Sequence, residues 1–181
     1  MTDPSRPNDR NDSRDAWKPL SLFHFTLSVA SLERSIAFYA TIGFRVLRDN
    51  RDVVWPDYVA TQFGLEHAQG RGALLALGDE ALHTRLDLIE WLEPAARFPE
   101  TPLAETAPRI LAIRVENARA AYQDLRGRGI EFITPPRGPD AATGIEAVVC
   151  CRDPDRTIVE LIEYMPGVLG SRIDSLARRS G

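Results

Sequence analysis

His24 sits inside "LFHFTLSV" (22–29), a run that alternates like a β-strand. An imidazole there has three uses: metal ligand, proton-transfer group, or hydrogen-bonded core residue. Two carboxylates stand in similar surroundings, Asp87 in "TRLDLIEW" (84–91) and Glu160 in "RTIVELIEY" (156–164). A carboxylate in an apolar strand is costly to bury alone, so each calls for a partner: a metal ion, His24 or an arginine. Without a metal, Asp87 or Glu160 paired to His24 would act as a general base with a raised pKa. Arg114 alternates with Ile110 and Ala112 and should share their face. There it would pair a carboxylate, hold an anionic substrate bidentately, or reach solvent from the strand end. Trp55, Tyr58 and Phe63 offer either an apolar wall over a cleft or the private core of their own segment. His67 and His83 read as surface residues. Cys150 and Cys151 are adjacent in "EAVVCCRD", so on a strand they point to opposite faces and do not bond each other. They read as positions of a buried strand.

These side chains need elements to hold them. In the first strand Phe25, Leu27 and Val29 form one face, and His24, Thr26 and Ser28 the other. "SLERSIAFYATIGF" predicts a helix with Ser31 as N-cap, Leu32, Ile36 and Tyr39 on one side, and Gly43 closing it. "FRVLRD" predicts a strand. "VVWPDYVATQFGL" suggests a short helix with Pro56 in its first turn. "GALLALG" (72–78) and "TRLDLIEW" predict two more strands, and a proline-containing stretch follows to Pro108. The same order then returns: strand "ILAIRV" (110–115), helix "ENARAAYQDLRGRG" ending at Gly127 or Gly129, and strand "IEFITPP". Strands "GIEAVVCCRD" and "RTIVELIEY" follow, meeting at the turn signal "DPDR". "SRIDSLARR" reads as a short amphipathic helix.

The recurrence is an internal repeat. At an offset of 86, His24 falls on Ile110, Ser31 on Asn117, Gly43 on Gly129, and "FRVL" on "IEFI", with no gap. At an offset of 73, "LDLIEW" falls on "VELIEY", so Asp87 matches Glu160, Glu90 matches Glu163 and Trp91 matches Tyr164. The first copy therefore carries extra residues, expected between Trp55 and Gly70. Glu90 and Glu163 lie on the face opposite Asp87 and Glu160, and reach solvent or cap the module ends. One helix covers only one face of a four-stranded sheet. Two such modules can curl toward each other around a cleft. The expected class is α+β, with paired βαβββ modules forming a curled mixed sheet. The expected organisation is a disordered tail (1–19), a first module (20–94), a linker (95–108), a second module (109–166) and a C-terminal tail (167–181).

"HFTLSVASLERSIAFYATIGF" and "RDPDRTIVELIEY" resemble the opening and closing motifs of the vicinal oxygen chelate superfamily, the glyoxalase/bleomycin-resistance/dioxygenase group, over roughly residues 21–164. Many of its members hold one divalent metal in the cleft and chelate vicinal oxygens of a substrate. Others bind a drug without metal. The resemblance implies four ligand positions: His24, Asp87, Ile110 and Glu160. Ile110 has no donor atom, and Asp87 is a methylene shorter than the usual glutamate. His24, Asp87 and Glu160 would leave open positions on Zn, Mn, Mg, Fe or Ni, with Asp87 and Glu160 moving protons. Arg156 replaces the last glycine of the family's "DPDG" turn.

Three functions follow. The first is a metal-assisted isomerase, epimerase or lyase acting on a carbonyl or hydroxy compound. The second is a metal-free small-molecule binding or drug-sequestering protein. The third, an extradiol-type dioxygenase, is disfavoured by the lack of a second histidine. The expected partners are a small molecule and a second copy of the chain. A net charge of −4 gives no basic footprint for nucleic acid. No stretch reads as a signal peptide or membrane span, so a cytoplasmic location is expected.

Overall fold

A computed structural model describes residues 22–167, apart from 56, 63, 65–66, 79–83 and 98–108. The expectations for the two tails, most of the linker, Phe63, His83 and "SRIDSLARR" lie outside the described residues.

The first half runs β1 (His24–Val29), α1 (Leu32–Thr41), β2 (Arg45–Asn50), α2 (Asp57–Gln62), β3 (Gln69–Ala76) and β4 (Arg85–Glu93). Its sheet has the order β1-β4-β3-β2, with β1 parallel to β4 and the other pairs antiparallel. The second half runs β5 (Ile110–Arg114), α3 (Ala118–Gly127), β6 (Ile145–Arg152) and β7 (Ile158–Tyr164), in the order β5-β7-β6. Helix α2 occupies the stretch where the first copy is longer.

"IEFITPP" does not form the expected fourth strand of the second sheet. Phe132 bridges Cys151 and Arg137 bridges Val148, with no continuous ladder between them. Pro135 and Pro136 have no amide hydrogen to donate, which interrupts the pairing.

The repeat persists at atomic level. Ser31 Oγ accepts from Arg34 N at 3.3 Å, and Asn117 Oδ1 accepts from Ala120 N at 2.8 Å. Each helix gives way to a glycine in the left-handed region, Gly43 (φ 104°) and Gly129 (φ 87°). Leu32 N donates to Glu90 Oε2, and Ala118 N donates to Glu163 Oε2, each at 2.9 Å. The two glutamates thus cap the helix N-termini, where backbone amides lack intrahelical acceptors and the helix dipole favours an anion.

One buried cluster runs through both halves on the helix-facing sides of the sheets. It includes Leu27, Val29, Tyr39, Leu86 and Leu88, and also Ile113, Val149, Cys151, Val159 and Leu161. A polar latch joins the halves beside it. Tyr39 Oη donates to Asp153 Oδ2 at 2.9 Å, and Ala30 N donates to Asp155 Oδ2 at 3.1 Å. Asp153 Oδ1 also accepts from Asp155 N and Thr157 N at 2.9 and 2.7 Å. Burial pushes the Asp153 carboxyl above its ordinary value, against these hydrogen bonds. The "DPDR" turn therefore both reverses the chain and locks the second half onto α1. Arg156 takes the left-handed conformation (φ 68°) that glycine adopts more easily. Among the described residues, no helix is long and apolar enough to cross a membrane.

Candidate functional site

With the helices on one face of each sheet, the other face is left for function. In the first sheet that open face carries a polar row. Thr26 on β1 pairs with Asp87 on β4, Asp87 with Leu74 on β3, and Leu74 with Arg48 on β2. Thr26 Oγ1 donates to Asp87 Oδ2 at 3.3 Å. His24 lies two residues before Thr26 on the same face. Burial raises the Asp87 carboxyl above its usual range. The His24 charge, the Thr26 hydroxyl and Arg48 oppose that rise. Asp87 is thus a half-buried carboxylate with two basic side chains near enough to act on its charge. His24 itself is exposed.

Further along the same face is an aromatic corner. Trp55 N donates to Gly70 O at 2.9 Å, which ties the chain to β3. The Trp55 ring lies across Gly70 and Gly72. A Cβ on Gly72 would come within 2.5 Å of Trp55 Cζ2, and one on Gly70 within 3.2 Å of Cε3. Trp91 meets Trp55 edge to face, with centroids 6.2 Å apart and planes at 85°. Tyr58 falls in α2, and its side chain is outside the described set.

The second sheet has a plainer open face. Ala112, Glu160 and Cys150 form the matching row. Ile110 is 54 % exposed, and Arg114 is exposed on the same strand. The Cys150 thiol is pushed up by burial and by the Glu160 charge, which disfavours the reactive thiolate. Cys151 is buried in the core, its thiol raised to about 11 mainly by burial, and both cysteines are free. His67 is exposed, in the left-handed conformation.

The donor set implied by the resemblance can now be tested. His24 and Asp87 share the first sheet, whereas Glu160 belongs to the second. Ile110 offers no donor. Among the described residues, no group of three or more His, Cys, Asp or Glu is placed to hold a metal ion. As placed among the described residues, His24, Asp87 and Glu160 do not form one such group.

Three residues of the open face were absent from the sequence-derived site: Thr26, Arg48 and Trp91. Thr26 and Trp91 were within reach, since they share the alternation of His24 and Asp87. Arg48 was not. A register shift between Val46 and Arg48 brings it opposite Leu74, and simple alternation cannot anticipate such a bulge.

The family model of the Glyoxalase/Bleomycin resistance protein/Dioxygenase superfamily matches residues 21–161. No curated protein matches the chain by sequence. Among solved structures, a glyoxalase family protein from Bacillus cereus is 19 % identical. It superposes with a TM-score of 0.68 over 83 % of this chain and 98 % of its own. The trypanothione-dependent glyoxalase I of Leishmania major is 21 % identical, with a TM-score of 0.55 over 90 % of this chain and 100 % of its own. The antibiotic-binding protein TnmS3 of a Streptomyces species is also 21 % identical, with a TM-score of 0.55 over 82 % and 99 %. These identities establish a shared fold and leave the chemistry open. Paired modules, repeat-related helix caps and the profile match together make this chain a member of the glyoxalase/bleomycin resistance/dioxygenase superfamily.

Proposed function

We propose that the open face of the first sheet binds a small carbonyl or hydroxy compound, and that Asp87 moves a proton on it. The observation that carries this reading is the half-buried Asp87, bonded to Thr26 and influenced by His24 and Arg48. The Asp87 carboxylate would take a proton from the carbon next to a carbonyl. The C–H electron pair would become the new carbon–carbon π bond, and the carbonyl π pair would move onto its oxygen. The Arg48 charge and a His24 N–H would favour the negative charge growing there. Asp87, now a neutral acid, would return the proton to the same carbon from the other side; where that carbon bears a hydroxyl whose proton passes to the enolate oxygen, Asp87 would instead protonate the former carbonyl carbon as the new carbonyl forms. This is isomerase or epimerase chemistry, and burial of Asp87 brings its basicity closer to what such a step needs.

The test is exchange of carbon-bound protons for deuterium in D2O, followed by proton NMR over a panel of 2-hydroxy ketones and 1,2-dicarbonyl compounds. Exchange should occur with the native chain, persist after dialysis against a chelator, and vanish in Asp87→Asn. Exchange unchanged in Asp87→Asn would remove the proposal. The second reading, sequestration of a ligand without turnover, is favoured by Ile110 in place of a donor. It predicts saturable binding with no exchange in any panel member. A homodimer belongs to the first reading. Its support is the exposed apolar edge at Leu22, Phe23 and Phe25, and light scattering during size exclusion tests it.

A further inference from the structure

Where the second sheet is interrupted at Pro135 and Pro136, a groove lies between that segment and α3. It measures about 600 Å3, within the range of small-molecule sites. Tyr122 and Arg126 of α3 line one side, and Ile130, Phe132 and Thr134 line the other, with no residue of β6 or β7. The groove therefore opens on the side of the segment away from β6. Ile133 N donates to Cys150 O at 2.8 Å, so Phe132 is the non-hydrogen-bonded member of its bridge to Cys151. Its own N–H and C=O consequently point away from β6, toward the groove. Ile130 and Phe132 turn inward onto the core, whereas Glu131 and Ile133 are exposed.

Three features set the chemistry of a ligand there. The Tyr122 and Phe132 rings meet edge to face, with centroids 4.9 Å apart and planes at 66°, and each is only half-buried. Arg126 lies over the Tyr122 ring, its Cζ 5.8 Å from the centroid, and its Nη1 donates to Tyr122 Oη at 3.5 Å. Among the described residues no carboxylate pairs with Arg126, whereas nearby Arg128 pairs with Asp124 at 2.9 Å. A guanidinium carries five N–H donors, so most of those on Arg126 remain for an anion. Glu131 also borders the groove. Alternation turns its side chain to the other side of the segment from Phe132. The internal repeat marks these groups as additions to the shared plan. The first half carries Ile36, Ala40 and Val46 at the positions of Tyr122, Arg126 and Phe132, with neither ring nor charge. We propose that this groove is a second small-molecule site, and that it takes an aromatic monocarboxylate. The carboxylate would accept from Arg126 and the Phe132 amide, and the ring would pack against Tyr122 and Phe132. A second acid group would meet the Glu131 charge, which limits the ligand to one. The site shares no residue with the open face of the first sheet and does not depend on Asp87.

The probe is 3-phenylpropionate, titrated into the full isotope-labelled chain and followed by backbone amide NMR shifts. Saturable shifts should centre on the amides of Arg126 and Phe132. Two relatives of the probe separate its parts: 3-phenylpropanol lacks the charge, and 3-cyclohexylpropionate lacks the aromatic ring. The alcohol should bind about tenfold more weakly and the cyclohexyl acid about threefold more weakly. Arg126→Gln should weaken 3-phenylpropionate by about tenfold, while Arg128→Gln changes it by less than about twofold. Tyr122→Leu should remove the advantage of the phenyl over the cyclohexyl acid. Should Tyr122→Leu fail to fold, the three ligands and the two surface arginine variants decide the matter. Asp87→Asn should leave binding unchanged. No saturable shift at the groove, equal binding of the acid and the alcohol, or equal binding of the two acids would overturn the inference. So would equal responses to Arg126→Gln and Arg128→Gln, or loss of binding in Asp87→Asn, which would move the ligand to the open face.

Discussion

The two halves are built on one plan and differ in helix α2 of the first, the interrupted strand of the second, and the residues of their open faces. Both use a polar N-cap (Ser31, Asn117), a left-handed glycine after the helix, and a strand glutamate that accepts from the first helical amide. On the open faces the likeness stops. His24, Thr26 and Trp91 in the first half correspond to Ile110, Ala112 and Tyr164 in the second, and only the carboxylates Asp87 and Glu160 persist. The scaffold positions are constrained by backbone groups that must be satisfied wherever the fold is kept. The open-face positions answer to whatever the protein binds, so one copy can retain polar groups while the other loses them.

The largest effect should come from breaking the latch that holds the halves together. Asp153→Ala leaves the Tyr39 hydroxyl and the amides of Asp155 and Thr157 without their acceptor, a loss of about 3 kcal/mol in a urea melt. Both halves should lose protection against hydrogen exchange. Loss confined to the second half would mean that the latch does not couple them.

Next in size is the contrast between the carboxylates. Asp87→Asn should cut proton exchange by about a hundredfold or more, while Glu160→Gln leaves it within a factor of about three. Equal losses would show that the two open faces work as one site.

The helix caps give a smaller contrast. Glu90 also pairs with Arg71 at 2.8 Å, with side-chain exposures of 14 % and 22 %, whereas Glu163 caps α3 without a comparable ion pair among those described. Glu90→Ala should cost about 2 kcal/mol and Glu163→Ala about 1 kcal/mol, measured by thermal melts.

The pH response of Asp87 has a definite sign. Its folded pKa is raised above the ordinary 3.8, so the folded chain holds this proton more tightly than the unfolded one. The resulting stabilisation is complete below the unfolded pKa and is lost as pH rises through the folded value. Stability of the native chain should therefore fall relative to Asp87→Asn as pH rises above about 4. Proton exchange should run oppositely, failing as acid protonates the base.

Much of the scaffold could be read directly. Periodicity located α1, α3 and every strand except the interrupted one at Ile130–Pro136, because alternation and helical spacing are local properties. The family resemblance put His24 and Asp87 in one set, and the parallel pairing of β1 with β4 places both in the first sheet. Glu90 and Glu163 were assigned to the face opposite Asp87 and Glu160. Their hydrogen bonds to Leu32 and Ala118 required the helices to be docked.

By itself, the sequence determined the α+β class, the two-module plan, the helix caps and the missing donor at Ile110. These depend on residue type and spacing along one chain. The tertiary structure decided what the open face offers. Arg48 joins the polar row because a bulge shifts its register. Trp55 packs against β3 because two strand glycines leave its ring room. Glu160 lies on the second sheet while His24 and Asp87 share the first, because each module forms its own sheet. Each depends on how distant segments meet, and no period along the sequence records that.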